Sequence, residues 1–335
     1  MRFRPVLFGV MVTVTCGGFF ACGSRTALPG DFDAVNTGND DSGGDARRFL
    51  HDSGPDTTVP PIDARPPVDA SRLDCPDADA TLIYLITSDN QLLSFFPSDA
   101  SFTLIGNIAC PNTNDDPNDS FAPFSMSVDR RGTAYIEFAS TNRDHTKLYK
   151  VSTATAACAA TSFVENQHNF NGFGMGFSTN GGGPSETLYI AGGSTASTPL
   201  GMPNTHLGSI DVTDYVVTDV GPFNPVIQDA ELTGTGDGRL FAFWADDPMT
   251  APTNISEVDK TTGDLIGTDS LAGTIFGGAW AFGFWGGDFY TFTAPAGLGT
   301  QAQVTRFDPV SKNFSVIATY PSSIVGAGVS TCAPQ

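Results

Sequence analysis

Residue types suited to acid–base, metal or nucleophilic chemistry are sparse in this 335-residue sequence: four His, five Glu and six Cys stand beside 31 Asp. Asn112, Asn114 and Asp116 alternate as calcium ligands do. No Gly follows them and no Glu closes the loop, so a capped turn is expected, and calcium lacks a full motif. Arg143, His145 and His168 stand in polar loops. A histidine there acts as ligand or base only if the fold brings it a partner. Trp244 beside Asp246 and Asp247 has the makings of a sugar-stacking platform; the competing role is a Trp packed against its own sheet. No Gly-x-Ser-x-Gly elbow, His-Glu-x-x-His helix or Gly-Lys-Ser/Thr loop occurs. Gly172-Phe-Gly-Met-Gly176 has the glycines of a dinucleotide loop but no helix pattern behind it, which reads as strand packing. Catalytic residues are therefore not assigned, and no cofactor or metal is expected.

Composition narrows the partners. The net charge is -20, with 16 Lys+Arg against 36 Asp+Glu, and only 16% of residues are charged where about 25% is usual. An acidic surface repels phosphate, so nucleic acid is excluded as a partner. The 37 Gly, 23 Pro and Asp-dominated acids favour turns and strands over helical bundles. Apart from the N-terminus, no apolar run approaches the length of a membrane span.

Met1-Arg-Phe-Arg-Pro, with two positive charges, precedes an apolar stretch from Val6 to Ala21, which is a secretory pattern and too short to span comfortably. The stretch ends in Phe19-Phe20-Ala21-Cys22-Gly23-Ser24. This resembles the lipobox of bacterial lipoproteins, in which a small residue precedes the Cys that receives the lipid. The resemblance implies removal of residues 1–21, lipidation of Cys22 and, since Gly23 is not Asp, a place in the outer membrane of the cell envelope. Free secretion after ordinary cleavage is the alternative. Residues 22–79 are rich in Asp, Gly, Pro and Ser with almost no aromatics, and cannot bury enough apolar surface to fold. They read as a disordered tether, and residues 80–335 as the folded domain.

Within that domain an aromatic recurs. Tyr84, Tyr135, Tyr189, Phe241 and Tyr290 lie roughly every 50 residues, each in a short apolar strand. A further strand follows each of the last four: Leu148–Ser152, Leu207–Asp211, Ile255–Asp259 and Val304–Asp308. Four strands in each of five repeats predict an all-β fold, a single β-propeller of five blades. Six blades would need an unrecognised copy. The pattern resembles NHL-, lactonase- and WD40-like propellers in general, without the signature of any one. The first copy lacks its first strand, and Val325–Thr331 is left over at the C-terminus, so that segment is expected to close the ring and leave no open edge. Small residues at Ser125 and Ser127, Gly174 and Gly176, Ala281 and Gly283, and Gly326 and Gly328 mark the strands nearest the axis.

Setting aside Cys16 and Cys22, four cysteines remain and allow three pairings. The ring places Cys75, before the first copy, beside Cys332, after the last strand. Cys110 and Cys158 end the outer parts of neighbouring blades. The pairs 75–332 and 110–158 are therefore expected, with zinc disfavoured by the spacing.

The long connections, which carry Asp116, Arg143, His145, His168, Trp244, Asp246 and Asp247, fall on one face of such a ring. That face is the candidate binding surface. Glu231 breaks the row of small axial residues and is expected to point into a solvated channel; with Asp229 it forms the one carboxylate pair at an inner position. Two carboxylates on one blade do not straddle a sugar. The expected function is accordingly a monomeric, membrane-anchored, non-catalytic binding module for a glycan, peptide or protein. The alternative is a glycosidase or lactonase-like hydrolase working at the channel mouth.

Overall fold

The structure, a computed structural model, describes residues 75, 82–111, 120–141, 143–193, 206–295 and 301–335. Cys22, the tether apart from Cys75, and Asp116 lie outside them. Among the described residues, twenty strands form five four-stranded antiparallel sheets. Blade 1 joins β1 (Ile83–Thr87), β2 (Gln91–Phe96) and β3 (Ser101–Asn107) to the last strand, β20 (Ile324–Val329), in the order β20-β1-β2-β3. Blade 2 holds β4 (Phe121–Val128), β5 (Thr133–Ser140), β6 (Thr146–Ser152) and β7 (Cys158–Ala160). Blade 3 holds β8 (Gly174–Thr179), β9 (Glu186–Gly192), β10 (His206–Ile210) and β11 (Val217–Pro222). Blade 4 holds β12 (Glu231–Gly234), β13 (Leu240–Trp244), β14 (Thr253–Val258) and β15 (Leu265–Leu271). Blade 5 holds β16 (Trp280–Trp285), β17 (Asp288–Thr293), β18 (Ala302–Asp308) and β19 (Asn313–Tyr320). The protein is a five-bladed β-propeller, closed by pairing of the C-terminal strand with β1, Tyr84 opposite Gly328 and Leu85 opposite Ala327.

The repeat aromatics explain the packing. Each lies on the second strand of its blade and enters the buried cluster shared with the following blade: Tyr84 with Met126 and Val128, Tyr135 with Phe173 and Phe177, Tyr189 with Leu232, Phe241 with Phe282 and Phe284, Tyr290 with Phe95 and Leu85. Five such clusters seal five interfaces, and every second strand is buried almost throughout while the outer β3 and β19 are largely exposed. The asparates keep to the corners. Asp99, Asp211, Asp214, Asp247, Asp259 and Asp308 each accept a hydrogen bond from the amide two residues on, the turn-forming use of that side chain.

Along the axis the small residues bring backbones into contact. A Cβ on Gly174 would lie 2.1 Å from the Ala230 carbonyl oxygen, and one on Gly326 would lie 2.8 Å from the Met126 nitrogen. The solvated channel expected around Glu231 is therefore closed here: Glu231 is only 4% exposed. Among the described residues the disulfides are Cys75–Cys332 and Cys110–Cys158. The first lies with the tight β4–β5 turn, where the Arg130 guanidinium comes 3.6 Å from the Cys75 sulfur. On the same face, Arg130 and Glu186 hold Thr331, and Gln335 accepts a bond from the Gly236 amide.

Candidate functional site

The opposite face carries the β5–β6 loop and the connections from one blade to the next. At its centre is a cavity of about 110 Å³ lined by Pro123, Phe124, Arg143, Glu231, Trp280 and neighbouring backbone. Each wall has a local cause. The pairing of β4 with β5 slips between Pro123 and Ser125, so Phe124 sits in a bulge that turns its ring out of the ladder. Arg143 is held in the left-handed conformation (φ 56°), its amide bonded to the Ser140 carbonyl, and its guanidinium lies 4.7 Å above the Phe124 ring. Its Nη1 meets Asp229 Oδ1 at 3.1 Å, which ties a loop of blade 2 to the entry of blade 4. Asp229 is left-handed as well (φ 49°), so both members of the pair hold backbone conformations that L residues seldom adopt. Trp280 donates from Nε1 to the Asp229 carbonyl at 2.9 Å and stacks on Phe276, 4.6 Å between centroids and 6° from parallel. The indole is thus clamped at both edge and face.

Glu231 forms the floor. Its Oε2 accepts a 2.7 Å hydrogen bond from Ser125 Oγ across the axis, linking blade 4 to blade 2, and Ser125 Oγ in turn accepts from the Met175 amide of blade 3. Burial pushes the Glu231 carboxyl well above its ordinary range, the Ser125 bond opposes this, and the nearby Glu137 carboxyl raises it further. Glu137, on β5, is fully buried beside the site. It accepts two bonds from the Phe173 amide, at 3.2 and 3.0 Å, and one from Thr146 Oγ1 at 3.3 Å. Burial raises it to about 8 against those bonds.

Of the residues singled out in the sequence, the pocket gathers Arg143 and Glu231, with Asp229 at its edge. The others lie elsewhere. His145 meets Glu165 at 3.0 Å at the rim of blade 2. His168 is exposed in a single 3-10 turn (Gln167–Asn169). Trp244 donates from Nε1 to Ser256 Oγ and packs against the cluster between blades 3 and 4. Asp247 caps its own turn, and Asp246 is exposed beside it. The tryptophan that lines the axial pocket is Trp280, because it opens a first strand and so borders the axis. Sequence reasoning also missed Glu137. A lone charge inside the apolar run Tyr135-Ile-Glu-Phe138 was the available signal. Among the described residues, no three His, Cys, Asp or Glu side chains lie together as a metal site would require.

No family model matches the sequence, and no curated protein does. Among solved structures the chain is similar to a family 117 glycoside hydrolase of the marine bacterium Zobellia galactanivorans, at 12% identity and a TM-score of 0.44, over 63% of this chain and 73% of that one. It is also similar to an exo-beta-1,3-galactanase of Phanerochaete chrysosporium, at 11% identity and a TM-score of 0.41, over 59% of this chain and 49% of that one.

Proposed function

We propose that this propeller is a non-catalytic binding module that takes a glycan at the axial pocket, with Trp280 as the stacking face and Glu231 and Arg143 as the polar contacts. The observation that carries this reading is that the pocket presents one carboxyl group. Glycoside hydrolysis uses two, set across the sugar. Asp229 is paired to Arg143, and Glu137 is sealed behind the Phe173 amide. An aromatic face beside a few fixed polar groups suits recognition of a ring that is apolar on one side and hydroxylated at its edge.

Hydrolysis at the same mouth is the second reading, favoured by one observation: burial of Glu231 against Ser125 at the floor pushes its carboxyl toward the proton-bearing form that a general acid uses. A glycan array probed with the full oxidised chain, followed by titration of the hits, tests the first. Trp280→Ala is expected to weaken binding about tenfold or more, the loss of about 1.4 kcal/mol of stacking. Incubation with chromogenic glycosides tests the second, and release of the chromophore that Glu231→Gln abolishes would replace binding by catalysis.

The N-terminal reading belongs to the same proposal: Cys22 carries a lipid that anchors the chain in the outer membrane of a bacterial envelope. Labelled palmitate is expected to enter the wild-type chain and not Cys22→Ala. Equal labelling of both would remove the anchor.

A further inference from the structure

The axial pocket differs from a groove in a way that defines what fits it. Its floor is closed. Ser125 and Glu231 bridge the axis at 2.7 Å, and just beneath them β8 and β12 approach so closely that a Cβ on Gly176 would lie 2.8 Å from the Leu232 carbonyl carbon. Its volume of about 110 Å³ is well below the roughly 300 Å³ or more of a site that encloses a whole drug-sized ligand. Its walls are Phe124 and Trp280 on separate blades, and the Arg143–Asp229 pair holds blade 2 to blade 4 at the rim. A chain of sugars cannot pass through or run along such a cup. Only a terminal ring can enter it.

Charge defines the ligand further. The two full charges at the rim neutralise one another, Arg143 against Asp229, and the floor carboxyl is hydrogen-bonded to a hydroxyl and buried, with a second carboxyl beyond it. A ligand carboxylate would approach the Glu231 carboxyl at the floor while the one guanidinium of the lining, Arg143, is already paired to Asp229, and a ligand ammonium would face that guanidinium. Hydroxyl groups meet no such opposition and match both the Glu231 carboxyl and the guanidinium edge.

We infer that the pocket recognises the end of an uncharged glycan chain and not its interior, a specificity that rests on the glycan reading above. The test titrates the full oxidised chain with gluco-, galacto- and xylo-oligosaccharides of two to six units, following tryptophan fluorescence, and repeats the series with a uronic acid as the terminal ring. End recognition gives a dissociation constant that stays within about threefold across the lengths of the preferred series, rises about tenfold or more with the uronate terminus, and rises similarly in Trp280→Ala. Phe124→Ala supplies a second variant on the other wall, with the same loss expected. A constant that falls about fivefold or more from two units to six shows interior binding and overturns end recognition while leaving the glycan reading in place. Preferred binding of the uronate-ended series overturns the uncharged specificity alone. Failure of every neutral and acidic oligosaccharide, here and on the array, overturns the glycan reading itself.

Discussion

Glu137 and Glu231 are two of only five glutamates in the chain, and both carboxyls are buried near one guanidinium that is already paired. Such groups link stability to protons. Unfolded, Glu137 titrates at its ordinary value of 4.5; folded, it is pushed up to about 8 by burial. The native state therefore binds the proton more tightly, so the contribution is fully present below pH 4.5 and is lost as the pH rises through about 8. Thermal unfolding followed from pH 5 to pH 8 is expected to show a falling midpoint, and Glu137→Gln to flatten that slope. At pH 8 the variant should be the more stable by on the order of 2 kcal/mol, since Gln keeps the Phe173 bond without a charge to desolvate. An unchanged slope would show that Glu137 ionises freely. The residue was hard to see from sequence because, although Thr146 stands on the neighbouring strand of its own blade, the Phe173 amide reaches it only through the contact of blades 2 and 3. Glu231 was visible as an exception in a row of small residues, yet its burial was not, since that depends on backbones meeting from blades 2, 3 and 4.

At the scale of the strand, the fold was legible to the extent that it repeats. The aromatic spacing identified every second strand, and the small residues identified the first strands, because each blade solves the same packing problem. What does not repeat was not legible: the slip in pairing at Phe124, and the turn before β16, where a Cβ on Gly277 would fall 1.8 Å from the Ala294 carbonyl oxygen. These irregular pieces shape the pocket. The axial glycines give a sharp prediction. Gly174→Ala drives a methyl group into the Ala230 backbone and should cost about 3 kcal/mol or more in urea unfolding. Gly278→Ala, whose added Cβ meets nothing within 4 Å, should change stability by less than about 1 kcal/mol. Equal effects at both positions would mean that the axis is not packed backbone to backbone.

Over the whole molecule, closure rests on two kinds of long-range bond. β20 pairs with β1 across nearly the full length of the domain, and Cys75–Cys332 closes a span of 257 residues, against 48 for Cys110–Cys158. In the chain-entropy view the longer span removes more freedom from the unfolded chain, about 5.5 kcal/mol against about 4. The Cys75→Ser/Cys332→Ser pair is thus expected to lower the unfolding free energy more than Cys110→Ser/Cys158→Ser, and the reverse order would place the weak point between blades 1 and 2. The pairings followed from sequence once the ring was assumed, because a ring has one seam and the cysteines flank it. The acidic balance was legible too, as aspartates at the corners. The Cys75–Cys332 bridge also governs how the ring bears tension. It lies with the tight turns, on the face opposite the mouth formed by Phe124, Arg143 and Trp280. A pull arriving from the N-terminal side reaches Cys75 and passes directly to Cys332, behind β20, so it does not peel β1 from its neighbours. The load crosses the back of the ring, and the cup on its front keeps its shape.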